Sequence, residues 1–361
     1  MQRVYNFSPG PAVLPLPVLE EVQRDMLALP GQGVSVLEIG HRTKWFEGVL
    51  DTTIQNLRRL LALPENYQVV FLQGGSRLQF SMIPMNLLAA GRAADYIVTG
   101  TWGQTAEKEA RREGEVRVAY SSKETNFDRL PAAGELKLNP QASYVHITSN
   151  ETIQGVQFLD EPDVGKVPLV CDASSDFLCR PLPMDKYGLL YACAQKNAGP
   201  AGVTVAILRD DVLAACTENV PTMLSFRQLA ENNSLLNTPP VFAVYVVMLV
   251  TRWLLDDIGG LAKMRALNEQ KARLLYDVID ESRGFYQGHA QPACRSLMNV
   301  TYRLPNDEVE TAFLAEAKER GLWYLKGHRS VGGIRASIYN AMPLAGVELL
   351  AQFMSEFRKK H

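Results

Sequence analysis

The chain has 361 residues, enough for about two domains, and its 47% hydrophobic and 21% charged residues exclude a disordered or fibrous chain. A net charge of −2 leaves no electrostatic footprint for nucleic acid, and Arg358-Lys359-Lys360 is too short a basic run to change that. Five cysteines without a Cys-x-x-Cys pair or zinc-like histidine spacing predict reduced, buried thiols and no metal, and the lack of an apolar leader or spanning segment predicts a cytoplasmic protein.

In chain order, the first predicted element is a helix opened by Pro17, with Val18, Leu19, Val22, Met26 and Leu29 on one face before Pro30-Gly31. A second begins near Lys44, places Phe46, Val49, Leu50, Ile54, Leu57 and Leu61 at helical spacing, and stops at Pro64. Seven short apolar runs follow, at 69–72, 96–98, 116–119, 144–147, 167–170, 189–192 and 203–207. Several show no polar alternation, as strands covered on both faces do. With helical stretches between some of them, notably after Gly75, they predict an α/β fold: a mostly parallel seven-stranded sheet flanked by helices. The last three runs are too close together for full crossover helices, so short crossovers or one antiparallel strand are expected. Beyond a buried helix at Val241 to Val250, helical patterns at 261–279, 309–320 and 349–357 alternate with strands at 296–302 and 334–338. They predict a smaller α+β domain.

Ligands of open parallel sheets sit outside the carboxyl ends of the strands, so polar residues just after strands are the candidates for chemistry. Gln73-Gly74-Gly75-Ser76-Arg77 follows the first run and offers backbone N–H groups to a phosphate at a helix start. Thr99-Gly100-Thr101-Trp102-Gly103 brings an aromatic to the same rim, Asp172 closes a later run, and Lys196 follows the run ending near Cys193. Alone, each has a plainer reading: a turn, a partly buried tryptophan, a helix cap, a solvated lysine. Together, a phosphate cradle, an aromatic plate, an acid and a lysine are what pyridoxal 5'-phosphate requires. Neither a Gly-x-x-x-x-Gly-Lys loop nor a Gly-x-Gly-x-x-Gly turn after a strand is present, which argues against nucleotide hydrolysis and nicotinamide binding. Arg42, Arg77, Arg329 and Arg335, two of them beside His41 and His328, suit a substrate with two anionic groups, although an isolated arginine more often serves a surface ion pair.

Across nearly its whole length the chain resembles the phosphoserine aminotransferases, within the fold-type-I pyridoxal phosphate enzymes of class V. The resemblance rests on Asn6-Phe7-Ser8-Pro9-Gly10-Pro11-Ala12, Gly40-His41-Arg42, Gly74-Gly75-Ser76-Arg77, Gly100-Thr101-Trp102 and Asn150-Glu151-Thr152-Ile153-Gln154-Gly155. It continues through Cys171-Asp172-Ala173-Ser174-Ser175-Asp176, the loop from Ala194 to Gly202, Asn237-Thr238-Pro239-Pro240 and the segment from Gly327 to Ser337. Two departures are Gly74-Gly75-Ser76-Arg77 where many relatives have a third glycine or alanine, and Ile39-Gly40 before His41 where the family often has Met-Ser.

The resemblance implies that Lys196 bonds the cofactor covalently, Asp172 pairs with the pyridine nitrogen, Trp102 stacks on the ring and Thr152 bonds the ring hydroxyl. It implies that Ser76, Arg77 and Gln195 bind the cofactor phosphate, joined by Asn237 and Thr238 from the neighbouring subunit of a homodimer. Arg335 is expected to hold the substrate α-carboxylate, with His41, Arg42, Arg77, His328 and Arg329 around its phosphate or distal carboxylate. The implied reaction is reversible amino transfer between O-phospho-L-serine and 2-oxoglutarate, giving 3-phosphooxypyruvate and L-glutamate in serine biosynthesis. 4-Phosphohydroxy-L-threonine, for pyridoxine biosynthesis, is a second candidate substrate. The alternatives are a related enzyme acting on alanine or cysteine, and a catalytically silent binding protein. A large cofactor-binding domain is expected over 16–259 and a small one over 1–15 and 260–361.

Overall fold

The central apolar runs are strands because they send alternate side chains to two separate apolar cores. Val69 and Phe71 face one cluster while Val70 and Leu72 face another, and Leu190 and Ala192 oppose Leu189 and Tyr191 in the same way. Both faces are buried, so polarity has no reason to alternate. The computed structural model describes residues 3–361. The strands are β1 (Tyr67–Leu72), β2 (Ala94–Val98), β3 (Val116–Ser121), β4 (Val145–Thr148), β5 (Leu169–Asp172), β6 (Tyr187–Cys193) and β7 (Thr204–Arg209), in the order β1-β7-β6-β5-β4-β2-β3.

β7 runs antiparallel to both neighbours, β1 and β6, and the other pairings are parallel. The close spacing of the last runs is thereby explained. From β6 to β7 the chain only turns back, so the loop 194–203 stays at the carboxyl edge of the sheet.

One sheet face is covered by α1 (Leu16–Asp25), α2 (Lys44–Leu61) and α5 (Val241–Asp256), the other by α3 (Gly75–Leu87) and α4 (Thr101–Ala110). The Thr43 hydroxyl caps α2 by accepting from the Phe46 N–H at 3.4 Å, and Ala62 ends it in a left-handed turn. α1 stops at Asp25, short of the expected Leu29. Leu29 is buried all the same, because the loop after the helix folds back onto the core.

A separate apolar cluster joins α6 (Leu261–Asp280), α7 (Asp307–Glu319) and α8 (Leu344–Lys360) to a three-stranded antiparallel sheet of Gln287–Gly288, Asn299–Arg303 and Ile334–Ser337. Tyr5–Asn6 pairs with Leu322–Trp323, and Phe7 packs into this same cluster. All five cysteines are free and buried, and no helix among the described residues is long and apolar enough to cross a membrane.

Candidate active site

β1, β2, β4, β5 and β6 all run in one direction, so their carboxyl ends share an edge, and the segments leaving them meet there. Asp172 is the last residue of β5, Lys196 lies just past β6, Trp102 sits in the first turn of α4 after β2, and Ser76 and Arg77 in the first turn of α3 after β1. Together with Thr152, Gln195, His328 and Arg335 they line a cavity of about 390 Å³. That size suits a cofactor with a small substrate.

Gly74 and Gly75 both adopt positive φ, 86° and 64°, and no side chain caps the start of α3. A Cβ on Gly74 would overlap the Leu78 side chain, so glycine is required there. The uncapped first turn presents its N–H groups and its positive helix end to the cavity. α4 differs. Its Trp102 and Gly103 N–H groups donate to Glu151 Oε2 and Oε1 at 3.0 and 2.8 Å, so of the two helix starts only that of α3 is open to an anion.

The Ser76 and Ser174 hydroxyls meet at 2.5 Å, and Ser174 donates through its hydroxyl (2.5 Å) and its N–H (2.9 Å) to Asp172 Oδ1. Because the Ser174 proton goes to the carboxylate, Ser76 is the donor of the pair. Burial pushes the Asp172 carboxyl above its ordinary value, while its Ser174 bond and the charge of Lys196 draw it back.

Lys196 Nζ donates to Thr152 Oγ1 at 2.6 Å and stands 5.4 Å from the centre of the Trp102 ring, with Arg77 Cζ at 5.5 Å from that ring. Arg335 donates to the Thr152 carbonyl at 3.4 Å, but its buried Nε has no partner, and neither has the buried Trp102 Nε1. Burial lowers the Arg335 pKa, and burial with the nearby Arg335 and Arg329 charges lowers that of His328. Unpaired donors in a cavity wall, beside an uncapped helix start, fit an anionic, hydrogen-bonding ligand. The residues present fit a phosphorylated pyridine aldehyde: the α3 start would take its phosphate, Trp102 its ring and Asp172 its ring nitrogen.

Five predicted residues do not line the cavity: His41, Arg42, Arg329, Asn237 and Thr238. Asn237 lines a second, smaller pocket with Gln73, Pro239 and Pro240, and Gln73 Nε2 donates to the Thr238 carbonyl at 3.0 Å. His41 Nε2 is buried without a partner. Conversely, Pro9, Gly10 and Ser174 line the cavity. The Ser8-Pro9-Gly10-Pro11 segment is tied down by Tyr339 OH to the Pro9 carbonyl (2.8 Å) and Ala12 N–H to the Gln195 carbonyl (2.9 Å). Its unusual Pro-Gly-Pro composition was the available signal; Ser174 had one too, as a hydroxyl two positions past a strand-end acid.

The model of the class-V aminotransferase family matches residues 4–350. A phosphoserine aminotransferase of Rhodopirellula baltica is 57% identical over 362 aligned positions, covering 100% of this chain and 96% of the relative.

The chain belongs to the phosphoserine aminotransferases of class V.

The solved structure of a phosphoserine aminotransferase from Bacillus circulans subsp. alkalophilus superposes with a TM-score of 0.97 at 47% identity, covering 100% of this chain and 99% of that one. A pyridoxal-phosphate-bound phosphoserine aminotransferase from Trichomonas vaginalis superposes with a TM-score of 0.93 at 39% identity, over 98% and 100% of the two chains. The mostly parallel sheet flanked by helices is therefore a family fold. The membership makes this chain an aminotransferase acting on small molecules.

Proposed function

We propose that the chain transfers an amino group reversibly between O-phospho-L-serine and 2-oxoglutarate, with pyridoxal 5'-phosphate held by Lys196, Asp172, Trp102, Thr152, Ser76, Arg77 and Gln195. The observation that carries this reading is the convergence of the Lys196 amine, the Asp172 carboxyl, the Trp102 ring and the uncapped start of α3 on one cavity that also holds Arg335 and His328.

When bound, the cofactor supplies an electron-withdrawing ring that stabilises negative charge at the substrate Cα. Lys196 Nζ, tethered to Thr152 Oγ1, would take the Cα proton and return it. Asp172, with one oxygen fixed by Ser174, would hold the ring nitrogen. Arg335 would bind the α-carboxylate through donors left free in the chain alone, and its planar fork suits a carboxylate. Arg77 would supply positive charge, and Arg77 and the His328 imidazole hydrogen-bond donors, for a second anionic group on the substrate.

His41, Arg42 and Arg329 would complete that second anion site, and Asn237 and Thr238 would reach the cofactor phosphate of a partner subunit in a homodimer. Their position outside this chain's own cavity supports shared sites. The reading carries a cytoplasmic enzyme of serine biosynthesis, with a large domain over 16–259 and a small one over 1–15 and 260–361. A coupled assay comparing phosphoserine, alanine and cysteine as donors to 2-oxoglutarate tests it. Phosphoserine is expected to be favoured at equal concentration, and a preference for alanine or cysteine overturns the proposal.

A further inference from the structure

Trp102 occupies the first turn of a helix whose own start carries no side-chain cap. Gly100, the residue before α4, is extended with φ −179°, and a Cβ there would overlap the Glu151 carboxyl group. The caps come instead from the short hairpin after β4, in which Asn150–Glu151 pairs with Val156–Gln157. Both Glu151 oxygens are used, one for the Trp102 N–H at 3.0 Å and one for the Gly103 N–H at 2.8 Å. Gln154 completes the clasp, accepting from the Thr101 N–H at 3.3 Å and donating to the Thr101 hydroxyl at 2.7 Å.

Glu151 is fully buried, and burial pushes its carboxyl up to about 7 although both N–H bonds and Lys196 act in the opposite direction. A buried acid is retained where its hydrogen bonds offset the cost of desolvation. What they hold here is the backbone of the turn that carries the indole. The Trp102 Nε1 is buried without a partner, so no hydrogen bond of its own orients the ring, whose placement rests on its packing against the core and on the backbone of the α4 first turn.

We propose that Glu151 is a positioning residue of the active site: by taking the Trp102 and Gly103 N–H groups it sets the plane of the Trp102 ring against which the cofactor lies. This rests on the reading of the cavity as a pyridoxal phosphate site. The next residue along, Thr152, bonds Lys196, so one dipeptide aligns both the ring plate and the lysine.

The test is a double-mutant cycle in the full-length protein with E151Q and W102A. Two measurements are made: pyridoxal phosphate affinity by titration, and amide hydrogen exchange at Trp102 and Gly103 in the cofactor-free chain. A glutamine must turn an N–H₂ towards one of the two N–H donors, so E151Q is expected to accelerate exchange at those two positions and to weaken cofactor binding about tenfold. Both changes follow from the lost cap, but only the second should vanish when the ring is already absent, so E151Q is expected to add little to W102A. E151D, which keeps the charge on a shorter arm, is expected to fall between.

An affinity loss that persists undiminished in W102A, or unchanged exchange in E151Q, overturns the proposal. So does the failure of both E151Q and E151D to fold, which would assign Glu151 to the fold alone. A wild-type protein that binds no pyridoxal phosphate would instead refute the reading of the site, and the exchange measurement would still judge the cap.

Discussion

Lys196 Nζ and Thr152 Oγ1 are joined by a hydrogen bond of 2.6 Å that spans the sheet: Thr152 follows β4, Lys196 follows β6, and β5 with Asp172 lies between. The lysine is thus held over the carboxyl end of the strand that carries the acid. Removing its amine removes the only lysine among the described residues that line the cavity. Lys196→Ala is expected to lower turnover at least ~10³-fold while pyridoxal phosphate still binds noncovalently through α3. Turnover is read in the coupled assay and binding by fluorescence titration, and transamination retained by K196A would refute the assignment.

Asp172 is buried with a raised pKa, so its charge opposes folding where the cavity is empty. Asp172→Asn should stabilise the cofactor-free protein at pH 8 and lower kcat by ~10² or more. Urea unfolding and steady-state kinetics measure the two, and opposite signs are the signature of a residue kept for chemistry.

Glu151 gives a pH dependence of definite sign. Its folded pKa is raised from 4.5 to about 7, so the folded state binds the extra proton across that window and loses stability as pH rises through it. Asp172 and Lys196 are the charged groups acting on it, the first raising and the second lowering. E151Q lacks this titration, so between pH 4.5 and 7 the cofactor-free wild type should lose stability relative to E151Q, on the order of 2 kcal/mol. Unfolding curves of both proteins at several pH values check the slope.

Gly100→Ala meets no backbone strain, because its φ is extended, yet its methyl would overlap the Glu151 carboxyl. The expected result is a loss of about 1–3 kcal/mol in stability together with weaker cofactor binding. Thermal unfolding and titration test it. Gly75→Ala makes a useful contrast, since nothing crowds its Cβ and only its positive φ of 64° is unfavourable.

Arg335 offers an unpaired Nε in the cavity wall. Arg335→Lys keeps the charge but not the fork, so KM for phosphoserine and for 2-oxoglutarate should both rise about tenfold or more, with a smaller change in kcat. A rise for only one of the two substrates would place the shared carboxylate elsewhere.

The sequence by itself determined the seven strands, because residues packed on both sides of a sheet are mostly apolar without alternation, and it located Asp172 and Lys196 as polar residues at strand ends. The order of those strands and the reversal of β7 belong to the tertiary structure, since periodicity is local and records no partner. For the same reason, motif order could not separate Arg335, which reaches the cavity, from Arg42 and Arg329, which do not line it. Nor could it reveal that Glu151, which reads as an ordinary loop acid, is buried at the start of α4. A carboxylate's role depends on which N–H groups face it across space, and here those groups lie nearly fifty residues earlier in the chain, brought to Glu151 only by the pairing of β2 with β4.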